Sequence, residues 1–536
     1  MAASPSDVES PHQHRAGTRL TAGDEPTEVR SIRAMWIGLI LAPTLAAAAY
    51  LAIPPETRDA AGQLTSGLPH DGRIVAALGL FMAVLWVTEA LPLPVTALLP
   101  VTFLPVLTGG RISIAQAALP YADPLIFLFM GGFMIALAME RWGLHRRIAL
   151  RLVLLVGTRP TVMVIGFMIA TAFLSLWMSN TATTVMMTPI AISVIALVRQ
   201  ELARSAPDQL PPPNQPFPFA VCLMLGVAYA ASIGGVATLI GTPPNLILAA
   251  FLDRTYGIQI SLARWFMATI PLAAVFLLLA WWMLTRWLFP IRLPPLPNGR
   301  EMIQRELAAQ GPMSRGEKVV LAVFAAAALA WVTRPILVSL RLPSGGAPLA
   351  GVSDTTIAIG AAMVLFGFPV DPRRGLFALT WRQAAKLPWG ILILFGGGLS
   401  LASAIQATGV AEAIGQSVAA LAGWPRWAVV LTVLVLTKAL TELASSTAIT
   451  AALLPVMAAA ATGLGIAPPA LVIPMTIAVS WSFMLPVATP PNAIAIATGH
   501  VTPAQMARAG FWLGLVGIAL AMLLAMCVEP WLGLEM

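Results

Sequence analysis

The chain has 536 residues, of which 58% are hydrophobic and only 10% are Asp, Glu, Lys or Arg, with a mean hydropathy of +0.84. Such a chain cannot be mostly the surface of a water-soluble globule, so the solvent it is built for is lipid. Its formal charge of +8 does not indicate a nucleic-acid partner, because the arginines gather in the loops of one side of the predicted spans.

Residues 1–33 mix Pro, Ser, Arg and acidic residues without apolar periodicity and are predicted to be a disordered cytoplasmic tail. A long mixed tail before the apolar run from Met35 to Ile53 is not the pattern of a cleaved signal peptide. Crossing a bilayer as a helix takes about 20 apolar residues. On that measure eleven spans are predicted, at 34–53, 74–91, 93–108, 124–140, 218–251, 262–288, 318–338, 352–370, 388–406, 468–499 and 509–530. Two further apolar segments, 160–197 and 425–463, are too long for one span, and each is split near its middle by a polar cluster. They are predicted to be re-entrant hairpins, inner and outer respectively.

Arginine bias in short loops orients the chain. If the tail carrying Arg15, Arg19, Arg30 and Arg33 is cytoplasmic, four crossings return the chain to Arg141, Arg146, Arg147 and Arg151. Two more reach Arg292, Arg300, Arg305 and Arg315, and another two reach Arg373, Arg374 and Arg382, so the parity agrees each time. The N-terminus is predicted to be cytoplasmic, the C-terminus outside, and the location the cytoplasmic (inner) membrane.

One register recurs along the chain. Phe129, Gly131, Gly132 and Gly143 match Phe395, Gly397, Gly398 and Gly409, and Ser179, Thr181, Ala182, Thr184 and Pro189 match Ser445, Thr447, Ala448, Thr450 and Pro455. GTPPN at 241–245 is echoed by ATPPN at 488–492. An odd number of crossings separates the two copies, which makes the repeat inverted, the architecture of secondary transporters with sites near the midplane. The predicted division is 1–33 tail, 34–73 first transmembrane helix and loop, 74–290 first repeat, 291–317 cytoplasmic linker and 318–536 second repeat.

The polar clusters carry the chemistry. Ser175, Ser179, Asn180, Thr181, Thr183 and Thr184 sit in the middle of the first hairpin segment, and Thr441, Ser445, Ser446 and Thr447 in the second. Polar groups in an apolar segment are costly unless partnered. At a hairpin tip one half-helix offers free N–H groups to an anion and the other free carbonyls to a cation. Paired prolines, Pro243 with Pro244 and Pro490 with Pro491, must break the long spans there, exposing carbonyls and the hydroxyls of Thr242 and Thr489. Glu89, Asp123, Lys438 and Glu442 are the intramembrane charges that stand out. Lys438 and Glu442, four apart on a helix, read as a mutually neutralising structural pair rather than a proton relay. No arginine lies near either cluster, so bound cations and helix ends must offset an anion's charge. The five histidines (His12, His14, His70, His145, His500) fall in tails or at span ends, which argues against a metalloenzyme, and Cys222 with Cys527 gives no disulfide framework.

SNTAT at 179–183, SIGGVATLIGTPPN at 232–245, WVTEALPLPVTALLP at 86–100 and VATPPNAIA at 487–495 resemble the divalent anion:sodium symporter family, which includes sodium/dicarboxylate cotransporters. The resemblance covers nearly all of the chain from about residue 34. It implies an all-α polytopic membrane protein with 11 transmembrane helices and two re-entrant hairpins, a homodimer, and elevator-type movement of a transport domain. Carried over by position, a first sodium ion would use Ser175, Ser179, Asn180 and Gly241, and a second Thr441, Ala444, Ser446 and Ala488. Substrate would contact Asn180, Thr181, Thr242, Ser446, Thr447, Thr489 and Pro490. Where the family usually has Ser-Asn-Thr, this chain has Ser445-Ser446-Thr447, a hydroxyl in place of an amide.

The function expected from this reading is sodium-coupled symport of C4-dicarboxylates such as succinate, malate or fumarate. Its partners are a small dicarboxylate anion, sodium as coupling ion, the lipid bilayer and a second copy of the chain, with no nucleic acid. The Ser446 departure keeps open a proton-coupled or exchanging carrier of tricarboxylate, sulfate or another divalent anion. A membrane-embedded enzyme would need a catalytic acid, base or metal at a cavity, and the histidine placement and the repeat speak against one.

Overall fold

The computed structural model describes residues 32–58, 64–157, 159–205, 207–209, 212, 216–294, 299–339, 348–418 and 423–532. The predicted disordered tail therefore lies almost wholly outside the described residues. Ten helices among the described residues are long and apolar enough to cross a membrane, and four shorter apolar helices accompany them. The protein is all-α and polytopic, with strand among the described residues confined to two short ribbons, Thr57–Arg58 with Leu64–Ser66 and Pro369–Asp371 with Leu376–Phe377.

Burial sorts the helices. Pro218–Gly235 is buried over 94% of its length and is the axis of the core, as expected of a helix that is apolar all round. Met35–Ala52, buried over only 11%, turns its apolar residues outward. Asp123 shows how a lone acid is accommodated: it accepts from Leu125 N (2.9 Å) to cap helix Pro124–Arg141 and forms an ion pair with Arg254.

Both polar clusters interrupt a helix. In the first segment Pro160–Ser175 ends and Asn180–Ser205 begins, with Ser179 accepting from Ala182 N (3.2 Å) and Thr183 N bonding the Ser179 carbonyl (3.0 Å). The second segment stops at Leu443 in helix Arg426–Leu443 and restarts as Ser446–Gly463, passing through an extended Ala444 (φ −142°, ψ 164°). Each predicted long span with paired prolines is likewise two helices, Pro218–Gly235 then Pro243–Tyr256, and Pro468–Ser480 then Pro490–Ala497. Thr242 (φ −141°, ψ 137°) and Thr489 (φ −146°, ψ 146°) are both extended, as a residue before proline must be, and a proline then opens each new helix.

These pieces pack crosswise. Helix Pro243–Tyr256 lies against Ser446–Gly463 and Pro468–Ser480, while Pro490–Ala497 lies against Asn180–Ser205 and Pro218–Gly235. Each short helix that follows a proline break is thus held by elements of the other half of the chain.

Two of the helices that arise where no span is predicted pack against each other. Leu144–Val156 carries Arg146, Arg147 and Arg151 on an amphipathic helix, and Gly299–Ala309 lies within the predicted linker 291–317. They are joined by the Arg146–Glu306 ion pair (3.1 Å), and Arg147 reaches Glu317 at 2.6 Å, both side chains being buried.

Candidate functional site

The first break is closed by short polar contacts. The Ser175 hydroxyl donates across it to Asn180 Oδ1 (2.7 Å) and stands 2.8 Å from the carbonyl oxygen of Ala231. A Cβ on Gly235 would collide with Asn180 Oδ1, and one on Gly241 would run into the carbonyl oxygens of Gly235 and Ser175. Both positions need glycine because helix and unwound segment approach so closely. Thr238 fastens the same place, donating to the Leu176 carbonyl (2.5 Å) and accepting from Gly241 N (3.0 Å). Of the residues predicted for a first cation, Ser175, Asn180 and Gly241 come together here, and Ser179 stands at the start of the second helix.

In the second set, Thr441 lies in the last turn of its helix, fully buried, with its hydroxyl donating to the Lys438 carbonyl (2.9 Å). Ser446 opens the next helix, and its carbonyl accepts from the Thr450 hydroxyl (2.8 Å). Glu442 ties this break to the unwound segment that ends at Ala488 and Thr489: its carboxylate accepts from Phe483 N (3.2 Å) and Met484 N (2.8 Å). Lys438 donates to Glu442 Oε1 (2.5 Å) and to the Trp481 carbonyl. The pair is structural, as the spacing predicts, and it also positions the segment behind Ala488.

The motif asparagines do the same work in both halves. Asn245 Nδ2 donates to the carbonyls of Val236 (3.0 Å) and Thr238 (2.8 Å), and Asn492 Nδ2 to those of Ser482 (3.2 Å) and Leu485 (3.0 Å). Each side chain therefore satisfies two carbonyls that the break strips of helical partners. Sequence reasoning left these two residues out of the site; the signal was in the last residue of the Thr-Pro-Pro-Asn motifs.

Burial separates two groups of residues. Ser175, Gly241, Thr441, Ala444 and Ala488 are buried, whereas Ser179, Asn180, Thr181, Ser446 and Thr447 are half-buried and Pro490 is exposed. Thr242 and Thr489 are buried at the start of their short helices. The side-chain and backbone donors in both sets are neutral oxygens, a chemistry that suits a hard cation and not a soft transition metal. Asn245 Oδ1, Thr489 Oγ1 and Asn492 Oδ1 are buried acceptors without a hydrogen-bond partner, oxygen capacity that fits a cation.

A bundle of membrane-length helices whose polar groups gather at helix breaks and unwound segments defines a transporter rather than an enzyme. The chain belongs to the divalent anion:sodium symporter family. A family model described as the sodium:sulfate symporter transmembrane region matches residues 63–534. The sodium-dependent dicarboxylate transporter SdcS of Staphylococcus saprophyticus is 36% identical over 502 residues, covering 93% of this chain and 92% of that protein. SdcS of Staphylococcus aureus is 37% identical over 495 residues, covering 92% and 91%. Among solved structures, the YdaH transporter of Alcanivorax borkumensis matches with TM-score 0.55 at 14% identity, covering 94% of this chain and 98% of that one. MtrF of Neisseria gonorrhoeae, described as illuminating a class of antimetabolite efflux pumps, matches with TM-score 0.53 at 14% identity, covering 91% and 94%. At that identity the last two likenesses concern the fold alone.

Proposed function

We propose that this protein is a sodium-coupled symporter that carries C4-dicarboxylates, such as succinate, malate or fumarate, across the cytoplasmic membrane. The observation that carries the reading is the Ser175–Asn180 bond beside Gly235, with Gly241 against the Ser175 and Gly235 carbonyls: Asn180 turns its amide oxygen inward while itself remaining half-buried at the break. One residue thereby serves a dehydrated cation and an accessible anion. The first sodium ion uses Ser175, Ser179, Asn180 and Gly241, the second Thr441, Ala444, Ser446 and Ala488. Substrate is held by Asn180, Thr181, Thr242, Ser446, Thr447, Thr489 and Pro490. The name carried by the relatives at 36% and 37% identity supports dicarboxylate over sulfate.

The rest of the reading is architectural. The two interrupted segments are re-entrant hairpins in an inverted repeat of eleven transmembrane helices, and the protein works as a homodimer by elevator-type movement. The crosswise packing of the short helices supports the repeat. Uptake of labelled succinate into proteoliposomes tests the function: it is expected to require sodium outside, to collapse in choline, and to resist excess sulfate. Sodium-independent uptake would overturn the coupling.

Ser446 favours a second reading, an exchanging or proton-coupled carrier, because a short hydroxyl stands where an amide is usual in the family. Ser446→Asn separates the two. Under symport the added amide oxygen lowers the sodium concentration for half-maximal uptake, because cation and substrate affinities are reciprocally linked. Unchanged or weaker sodium activation would remove Ser446 from the coupling site.

Topology is tested separately. Cysteines introduced at Arg146 and Arg300 are expected to react only with reagent on the cytoplasmic side, and a tag after the last helix only from outside. Labelling of both chain ends from one face would sink the eleven-helix count and the inversion together.

A further inference from the structure

Away from the candidate sites, a cavity of about 490 Å³ opens near the far end of the helix that begins at Asn180. One wall is a stripe on that helix: Ile192, Ile195, Ala196 and Arg199 follow at the three- and four-residue spacing that puts side chains on one face. Opposite stand Phe217, at the entry to helix Pro218–Gly235, and His500, in the connection between Pro490–Ala497 and Pro503–Leu532. The guanidinium carbon of Arg199 lies 5.0 Å from the centre of the Phe217 ring, and its Nε is buried without a hydrogen-bond partner. No carboxylate pairs with Arg199 among the described residues. Burial, and then the Arg199 charge, hold the His500 imidazole below its ordinary range, so at neutral pH it is uncharged. Arg199 is then the cation of the cavity.

A half-buried guanidinium whose Nε–H is buried and unused gains from an anion that meets it, and its planar fork matches phosphate or carboxylate. The stripe decides which anion. Ile192 and Ile195 offer nothing to a small free anion, but they suit the chain of an amphiphile. Arg199 also stands about 7.5 Å along the helix axis from the end of the apolar stretch Asn180–Arg204, so an apolar face and the charge adjoin on one helix. We propose that the Arg199 cavity binds the phosphate of an anionic phospholipid, with an acyl chain lying along Ile192, Ile195 and Ala196. An occupant there touches both the helix that starts at Asn180 and the connection behind the second Thr-Pro-Pro-Asn break, and so ties together elements of both halves.

Native mass spectrometry of the full-length protein in detergent tests this with dioleoylphosphatidylglycerol, dioleoylphosphatidylcholine, and phosphatidylglycerol competed by millimolar inorganic phosphate. The wild type is expected to retain phosphatidylglycerol over phosphatidylcholine, and Arg199→Gln to weaken that retention about tenfold, the scale of one charged hydrogen-bonding partner. Phosphatidylcholine, whose phosphate is offset by its own ammonium, should bind more weakly and lose less on the same substitution. Ala196→Glu, at an exposed position three residues before Arg199, supplies an internal partner and is expected to give the same loss, which keeps the test decisive if Arg199→Gln does not fold. Equal phosphatidylglycerol retention in wild type and variant overturns the proposal. Displacement of the lipid by inorganic phosphate assigns the cavity to a free anion and overturns the lipid part of it.

Discussion

Asn180→Ala is expected to abolish sodium-driven succinate uptake while leaving the amount of folded protein close to wild type. The side chain is half-buried, so its loss opens no large cavity and breaks one tie, the bond from the Ser175 hydroxyl, which keeps the Ala231 carbonyl as its alternative acceptor. In the proposed site, however, the same amide gives an oxygen to the cation and an N–H to the carboxylate. A hydrogen bond to a charged group contributes about 1.5–3 kcal/mol, or roughly ten- to a hundredfold in affinity, and the lost cation ligand adds to that through linkage. Uptake and size-exclusion profiles measured on the same preparation separate this from a packing role. Near-wild-type uptake would show that Asn180 is not at the site, and parallel loss of uptake and folded protein would make it a packing residue.

How much of this was readable from the chain follows from what each signal depends on. Apolar length is a local property, so spans such as 262–288 and 388–406 were legible, and helices Leu262–Trp282 and Trp389–Ala407 occupy them. The proline pairs were legible because their effect on the preceding residue is steric and local, and Thr242 and Thr489 adopt the extended backbone this demands. The polar clusters marked helix interruptions because unpartnered hydroxyls in an apolar run need a reason. Amphipathic helices escaped, since Gly299–Ala309 is too short and polar to read as a span and docks through the fully buried Ile303 and the Arg146–Glu306 pair, not by apolar length. The Gly235 contact with Asn180 and the grip of Asn492 on Ser482 and Leu485 also escaped, because they depend on how an unwound segment folds back in three dimensions. The spacing of Lys438 and Glu442 gave the pair but not the backbone it holds.

That backbone makes Glu442 the residue whose loss should cost the most stability. Its carboxylate balances Lys438 and accepts from Phe483 N and Met484 N, so Glu442→Ala leaves one buried ammonium, one buried N–H and one part-buried N–H to find new partners. Breaking a buried ion pair on one side costs about 3–5 kcal/mol, and each unmade buried hydrogen bond about 1–3 kcal/mol more. Set against a typical total stability of about 5–15 kcal/mol, Glu442→Ala should leave little folded protein. Glu442→Gln keeps an acceptor for the backbone but still strands the Lys438 charge, so it should be intermediate. Adding Lys438→Met to Glu442→Gln removes the stranded charge and is expected to recover most of the folded protein, a non-additivity that a double-mutant cycle measures directly. Thermal unfolding of the wild type, Glu442→Gln, Lys438→Met and the double variant in one detergent gives that cycle. If Glu442→Ala unfolds at the wild-type temperature, or if Lys438→Met fails to relieve Glu442→Gln, the pair does not hold the unwound segment.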